Sequence, residues 1–77
     1  MNIFISYIHD SHIDDIIHVF KKDKDAIEHC KRTIKDVKRK TSTITETEDW
    51  YLSEDVLYSA ETNDEDTYGY VKKLKLE

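Results

Sequence analysis

The stretch Asp15 to Lys40, DIIHVFKKDKDAIEHCKRTIKDVKRK, decides the fold. Its first six residues, DIIHVF, are rich in β-branched and aromatic side chains, which favour extended backbone. As a strand they put Ile17 and Val19 on one face and Ile16, His18 and Phe20 on the other. From about Asp23 to Arg39 the period changes. Ala26, Ile27, Cys30, Ile34 and Val37 fall on one stripe of a helix, and Lys and Arg crowd its other faces. Asp23 and Asp25 suit the positive end of that helix, and Lys38, Arg39 and Lys40 suit the negative end. One alternative stays open, a single helix from 12 to 39. There Ile13, Ile16, Ile17 and Phe20 recur at i, i+3, i+4 and i+7 behind a Ser11-x-x-Asp14 capping box. Because Lys24 would then sit on the apolar seam, the strand is preferred.

Working outward, residues 2–8, NIFISYI, form a strand in which Ile3, Ile5 and Tyr7 alternate with Phe4, Ser6 and Ile8. Both sets are mostly apolar, which predicts that both faces are partly covered. His9 to Asp14 is a polar loop, and Thr41 to Thr47, TSTITET, is a polar connection with weak strand character. Asp49 to Leu52, DWYL, carries the only tryptophan and anchors the chain to the core. Residues 56–61 and 67–76 are strands around a turn at Thr62–Asp66, TNDED. In the second of them Tyr68, Tyr70, Leu74 and Leu76 share one face, interrupted by Lys72. Gly69, the only glycine, marks a bulge or a close backbone approach, or is simply tolerated at that position. The expected architecture is α+β, one domain over 1–77. It is an antiparallel sheet of about four strands, in the order β-β-α-β-β, with one amphipathic helix packed on one face.

A chain of 77 residues and 9.2 kDa buries only about 60% of the surface it exposes when unfolded. The single cysteine, Cys30, excludes an intramolecular disulfide and reads as a small buried hydrophobe in a reducing, cytoplasmic setting. No apolar run approaches the roughly 20 residues of a membrane span, and the N-terminal residues lack a secretion pattern. A soluble protein with no membrane partner is expected. The net charge of −5 is sorted along the chain. Residues 21–40 hold nine Lys/Arg against four acids, whereas residues 41–67 hold nine acids and no Lys or Arg. Such sorting gives a field that steers partners, although charge runs are more often plain solvated surface.

His9, Asp10, His12, Asp14, Asp15 and His18 are competent metal ligands, but their spacing matches no motif, so they read as solvated loop side chains. No metal or other cofactor is expected. One glycine leaves no phosphate-cradling loop or nucleophile turn, and no residue is assigned a catalytic role. The basic helix suits phosphates, yet the acids elsewhere repel them, so no direct nucleic-acid partner is expected. The candidate partner-binding surface is instead acidic and aromatic: Glu48, Asp49, Trp50, Tyr51, Glu54, Asp55, Tyr58, Glu61, Asp64, Glu65, Asp66 and Tyr68. Tyr70 joins the candidate anchors, because aromatic residues dominate binding hot spots. Several of these rings must build the core of so small a domain.

The leading reading is a non-enzymatic protein that binds another protein. The alternatives are an acidic DNA mimic that blocks a nucleic-acid-binding protein, and a small metal-binding protein using the His/Asp loop. Acids that merely keep an edge hairpin soluble are the plainer explanation. An exposed edge strand would also allow a homodimer.

The order strand, strand, helix, strand, strand resembles a loose group of short bacteriophage accessory proteins. The resemblance rests on Val19 to Ile27, VFKKDKDAI, where a strand ends in Val-Phe and an Ala-Ile helix follows, and on the aromatic, acidic hairpin. It implies a phage-encoded, non-enzymatic inhibitor or modulator of a host protein or defence system, acting in the host cytoplasm. Lys22 stands where that group usually has a Ser-like cap. Separately, Ile3 to Asp10, IFISYIHD, resembles the first strand of TIR domains. Their five-stranded parallel sheet and later catalytic glutamate have no counterpart here.

Overall fold

The computed structural model describes residues 1–47 and 55–75. The elements are β1 (Asn2–Asp10), β2 (Ile13–Phe20), α1 (Asp23–Val37), β3 (Ile44–Thr47), β4 (Val56–Thr62) and β5 (Thr67–Lys75). All five strands join one antiparallel sheet in the order β2-β1-β5-β4-β3. Residues 15–20 are therefore strand, and the long single helix does not form. The expected α+β class and the single helix hold. The sheet has five strands rather than about four, because Ile44–Thr47 pairs with β4. That pairing uses backbone groups, to which the polar side chains of ITET give little clue. Most of the expected His9–Asp14 loop is strand as well, and only Ser11 and His12 turn the chain.

α1 lies across β1 and β5, the middle of the sheet. Ala26, Cys30 and Ile34 are buried along its inner stripe, with Ile27 and Val37 half-buried beside them. They meet Ile8 of β1, Val71 of β5, and Tyr58 and Ala60 of β4, all buried. The helix ends at Val37 rather than Arg39. Lys38 turns extended (φ −66°, ψ 159°) while its N–H still donates to the Ile34 carbonyl. Its ammonium then donates to the Ser42 carbonyl at 2.8 Å, fastening the exit of the helix to the next segment.

Gly69 faces α1 where the helix packs tightly on the sheet. A Cβ there would stand 2.9 Å from Ile34 Cδ1, 2.9 Å from the Tyr7 carbonyl oxygen and 3.0 Å from Cys30 Sγ. Of the three readings open from sequence, a bulge, a close approach or mere tolerance, the contacts show the close approach.

Strand alternation gives the sheet two unlike faces. Phe4, Ser6 and Ile8 of β1 and Ile16 and Phe20 of β2 point toward α1. Ile3, Ile5 and Tyr7 of β1, Ile17 and Val19 of β2, and Tyr68, Tyr70, Lys72 and Leu74 of β5 point the other way. Among the described residues no helix covers that second face. Ile17 and Val19 are 59% and 58% exposed there, and Tyr68 is 43% exposed. The expected anchor Asp49–Leu52 and the candidates Glu48, Asp49, Trp50, Tyr51 and Glu54 lie outside the described residues.

Candidate functional site

Register arranges the uncovered face as rows of side chains running across the strands. Thr45, Glu61, Tyr68 and His9 form one row, Thr47, Ser59, Tyr70, Tyr7 and Ile17 the next, and Val56, Lys72, Ile5 and Val19 a third. Cross-strand partners on one face are close enough to interact directly. Tyr7 and Tyr70 stack with ring centroids 5.1 Å apart, and His9 and Tyr68 lie 5.0 Å apart. Tyr7 to Tyr68, at 6.3 Å, joins the two pairs into one aromatic cluster.

β2 aims a carboxylate at this cluster. Between Ile16 and Ile13 its pairing with β1 slips by one residue, and the resulting bulge at Asp14–Asp15 re-aims the strand. Asp15 then accepts the Tyr7 hydroxyl at 2.5 Å and bonds His9 Nδ1 at 2.7 Å. The Tyr7 bond and then the His9 bond hold the Asp15 carboxyl below its ordinary range. The same bond to Asp15 raises the Tyr7 hydroxyl, since the phenol that donates to an anion resists ionisation. On the far side of Tyr68 a shallow groove of about 340 Å³ is bounded by Thr45, Thr47, Val56, Glu61, Tyr68 and Tyr70.

The acidic hairpin divides into surface and scaffold. Glu61 and Tyr68 border the groove, Glu65 stands exposed at the turn with φ 62°, and Asp55 is exposed at the start of β4. Tyr58 is a correction. It is completely buried, and its hydroxyl donates to Glu46 Oε1 at 2.8 Å, so it builds the core and offers no contact surface. Asp64 accepts from the Ser42 hydroxyl, from Thr62 Oγ1 at 2.5 Å and from the Asp66 N–H at 3.1 Å. Asp66 pairs with Arg39 at 3.7 Å, and its carbonyl receives the Ser11 N–H. These two acids tie the hairpin to the segment leaving α1 and to the β1–β2 turn.

The hydrogen bonds to Asp64, that from Ser42 foremost, lower its pKa to about 2. A carboxyl depressed in the folded state adds stability above its unfolded pKa of about 3.9, and that contribution is lost as pH falls through the folded value. Asp64→Ala is therefore expected to lower the urea midpoint at pH 7. The gap to the wild type should close as the pH approaches 2; an equal gap at both pH values would contradict this role.

The N-terminal His/Asp cluster disperses in the fold. Asp10 is buried on the helix side, accepting Thr67 Oγ1 at 2.6 Å and the His12 N–H at 2.8 Å, while His9 and Asp15 sit on the opposite face. Among the described residues no three His, Cys, Asp or Glu side chains converge as metal ligands. Cys30 is sealed beneath α1, and burial pushes its thiol up to about 11.

Tyr7, His9 and Asp15 lie outside the surface expected from the sequence, which nonetheless carries a signal for the first. NIFISYI is apolar on both alternating sets, while one helix can cover only one of them. His29 carries no sequence signal of its setting: it packs 4.5 Å from His18 and 5.2 Å from Phe20, ring to ring, and bonds Ser6. Burial first, and then the neighbouring His18 and Arg32, lower its pKa.

No family model, curated protein or solved structure matches the chain. Among the described residues no helix is long and apolar enough to cross a membrane. The fold defines the class as a small α+β domain, one helix on one open antiparallel sheet.

Proposed function

We propose that this chain is a small non-enzymatic binding protein that docks another protein on its uncovered sheet face. The observation that carries this reading is the cluster of Tyr7, Tyr68 and Tyr70 beside a groove with Glu61 on its rim. Rigid, half-exposed aromatic rings with polar neighbours make up the usual centre of a protein interface. The resemblance carried by Val19 to Ile27 gives the setting: a phage-encoded modulator of a host protein or defence system, working in the host cytoplasm.

Capture from a bacterial lysate on the tagged chain, followed by titration of the captured protein, tests the reading. Tyr68→Ser and Tyr70→Ser are each expected to weaken that complex by about 30-fold, the loss of one hot-spot ring. Unchanged binding by both variants would sink the sheet-face reading. An acidic DNA mimic behaves differently. Its complex, formed with a nucleic-acid-binding protein, collapses with added salt and fails when Glu61 and Glu65 become amides, whatever stands at position 70.

A further inference from the structure

We propose that the chain forms a two-fold symmetric dimer by pairing the outer edge of β2 with β2 of a second copy, centred on His18. The two edges of the sheet differ in how they are guarded. β3, at one edge, has four residues and three of them are polar. β2, at the other, has eight residues, contains no Lys or Pro, and exposes Ile13, Ile17 and Val19. Natural edge strands are usually shortened, charged or bulged against pairing; β2 carries such guards only at its Asp14–Asp15 bulge, which leaves Ile16–Phe20 open.

β2 is also self-complementary in one register. Antiparallel pairing about His18 sets Ile17 opposite Val19 of the second copy and Ile16 opposite Phe20. It also brings Asp14 and Asp15 against Lys21 and Lys22 of the second copy. Symmetry makes every pair occur twice except the central one, His18 against His18 of the second copy. The chain bends at Lys21 and Lys22 on its way into α1, so the backbone ladder stops at Phe20 and the two lysines meet the opposing acids through their long side chains. Moving the centre to Ile17 instead sets Asp15 against Val19 and Asp14 against Phe20, acid against hydrocarbon. Charge complementarity thus selects one occupant, another copy of this chain, and one alignment. A two-fold axis perpendicular to the sheet leaves both helices on one side and joins the two uncovered faces into one.

Strand pairing with these flanking side chains is smaller than the roughly 1,200–2,000 Å² of a standard interface, so association is expected at micromolar rather than nanomolar concentration. Sedimentation equilibrium of the full chain at high micromolar concentration and neutral pH should return twice the 9.2 kDa chain mass, falling toward one chain on dilution. Val19→Asp, at a residue exposed in the single chain, should remain folded by circular dichroism and be monomeric.

Asp14→Lys and Lys22→Asp should each weaken the dimer about tenfold by setting like charges opposite one another. The double variant Asp14→Lys/Lys22→Asp should restore it. A monomeric wild type at that concentration overturns the proposal. So does a dimer that survives Val19→Asp, or a double variant no tighter than the singles. The proposal is independent of partner docking, and the measurement needs no partner. Tyr68→Ser should leave the mass unchanged; if it dissolves the dimer, the copies meet through the sheet face and the edge pairing is wrong.

Discussion

Tyr58→Ala is expected to cost about 3–5 kcal/mol of unfolding free energy, the range for truncating a buried aromatic residue. Tyr58 is the largest fully buried side chain among the described residues. Its ring sits in the cluster with Ile8, Ile34 and Val71, 5.4 Å beneath the Lys31 ammonium. Domains are stable by only about 5–15 kcal/mol, and a small one sits toward the low end, so this variant should be largely unfolded at 37 °C. Tyr58→Phe separates the two jobs of the residue. It keeps the ring and removes the hydroxyl that donates to Glu46, for a loss of about 1 kcal/mol. Urea melts of both variants read the difference. Equal losses would mean that the hydroxyl, rather than the ring, holds β4 in place.

Gly69→Ala is the second large effect, expected at about 1–3 kcal/mol, the cost of overpacking a tight core. Two of the three atoms crowding the new methyl group belong to side chains of α1, but the third is the Tyr7 carbonyl oxygen, which belongs to the sheet. Ile34 Cδ1 can move; the carbonyl of β1 cannot move without disturbing its ladder. Ile34→Val removes Cδ1 and alone should cost about 0.5–1.5 kcal/mol. Combined with Gly69→Ala it should cost less than the sum of the two, since the valine leaves room for part of the methyl group. Strict additivity in a thermal or urea double-mutant cycle would show that the carbonyl contact alone sets the penalty.

Period and residue type made most of the fold legible. DIIHVF was recognisable as strand from its β-branched residues, and its two faces fall as the alternation requires. The helix stripe was readable from Ala26 to Val37, because a 3.6-residue period runs through about three turns there. β3 was the weak point, as four residues with a single apolar side chain carry almost no pattern.

The hairpin acids were harder still. Asp64, Asp66, Glu61 and Glu65 look alike in sequence, and what separates them is non-local: Ser42 and Arg39, brought in by the exit from α1, claim the first two. Tyr58 and Tyr68 are separated by pleat. The pairing of β4 slips between Val56 and Tyr58, and the tyrosine that follows turns to the core. The stacked pair Tyr7 and Tyr70 joins opposite ends of the chain, a contact set by sheet order alone.

The burial of Cys30 gives the molecule an internal clock. Its sulfur is enclosed between α1 and the Gly69 backbone, with no exposed surface and a thiol that resists ionisation at neutral pH. A thiol reagent can therefore react only during the moments when the helix lifts from the sheet. The chain carries no second cysteine to confuse the signal. The pace of that one reaction reports how often the two layers part, in the native protein and without any added label.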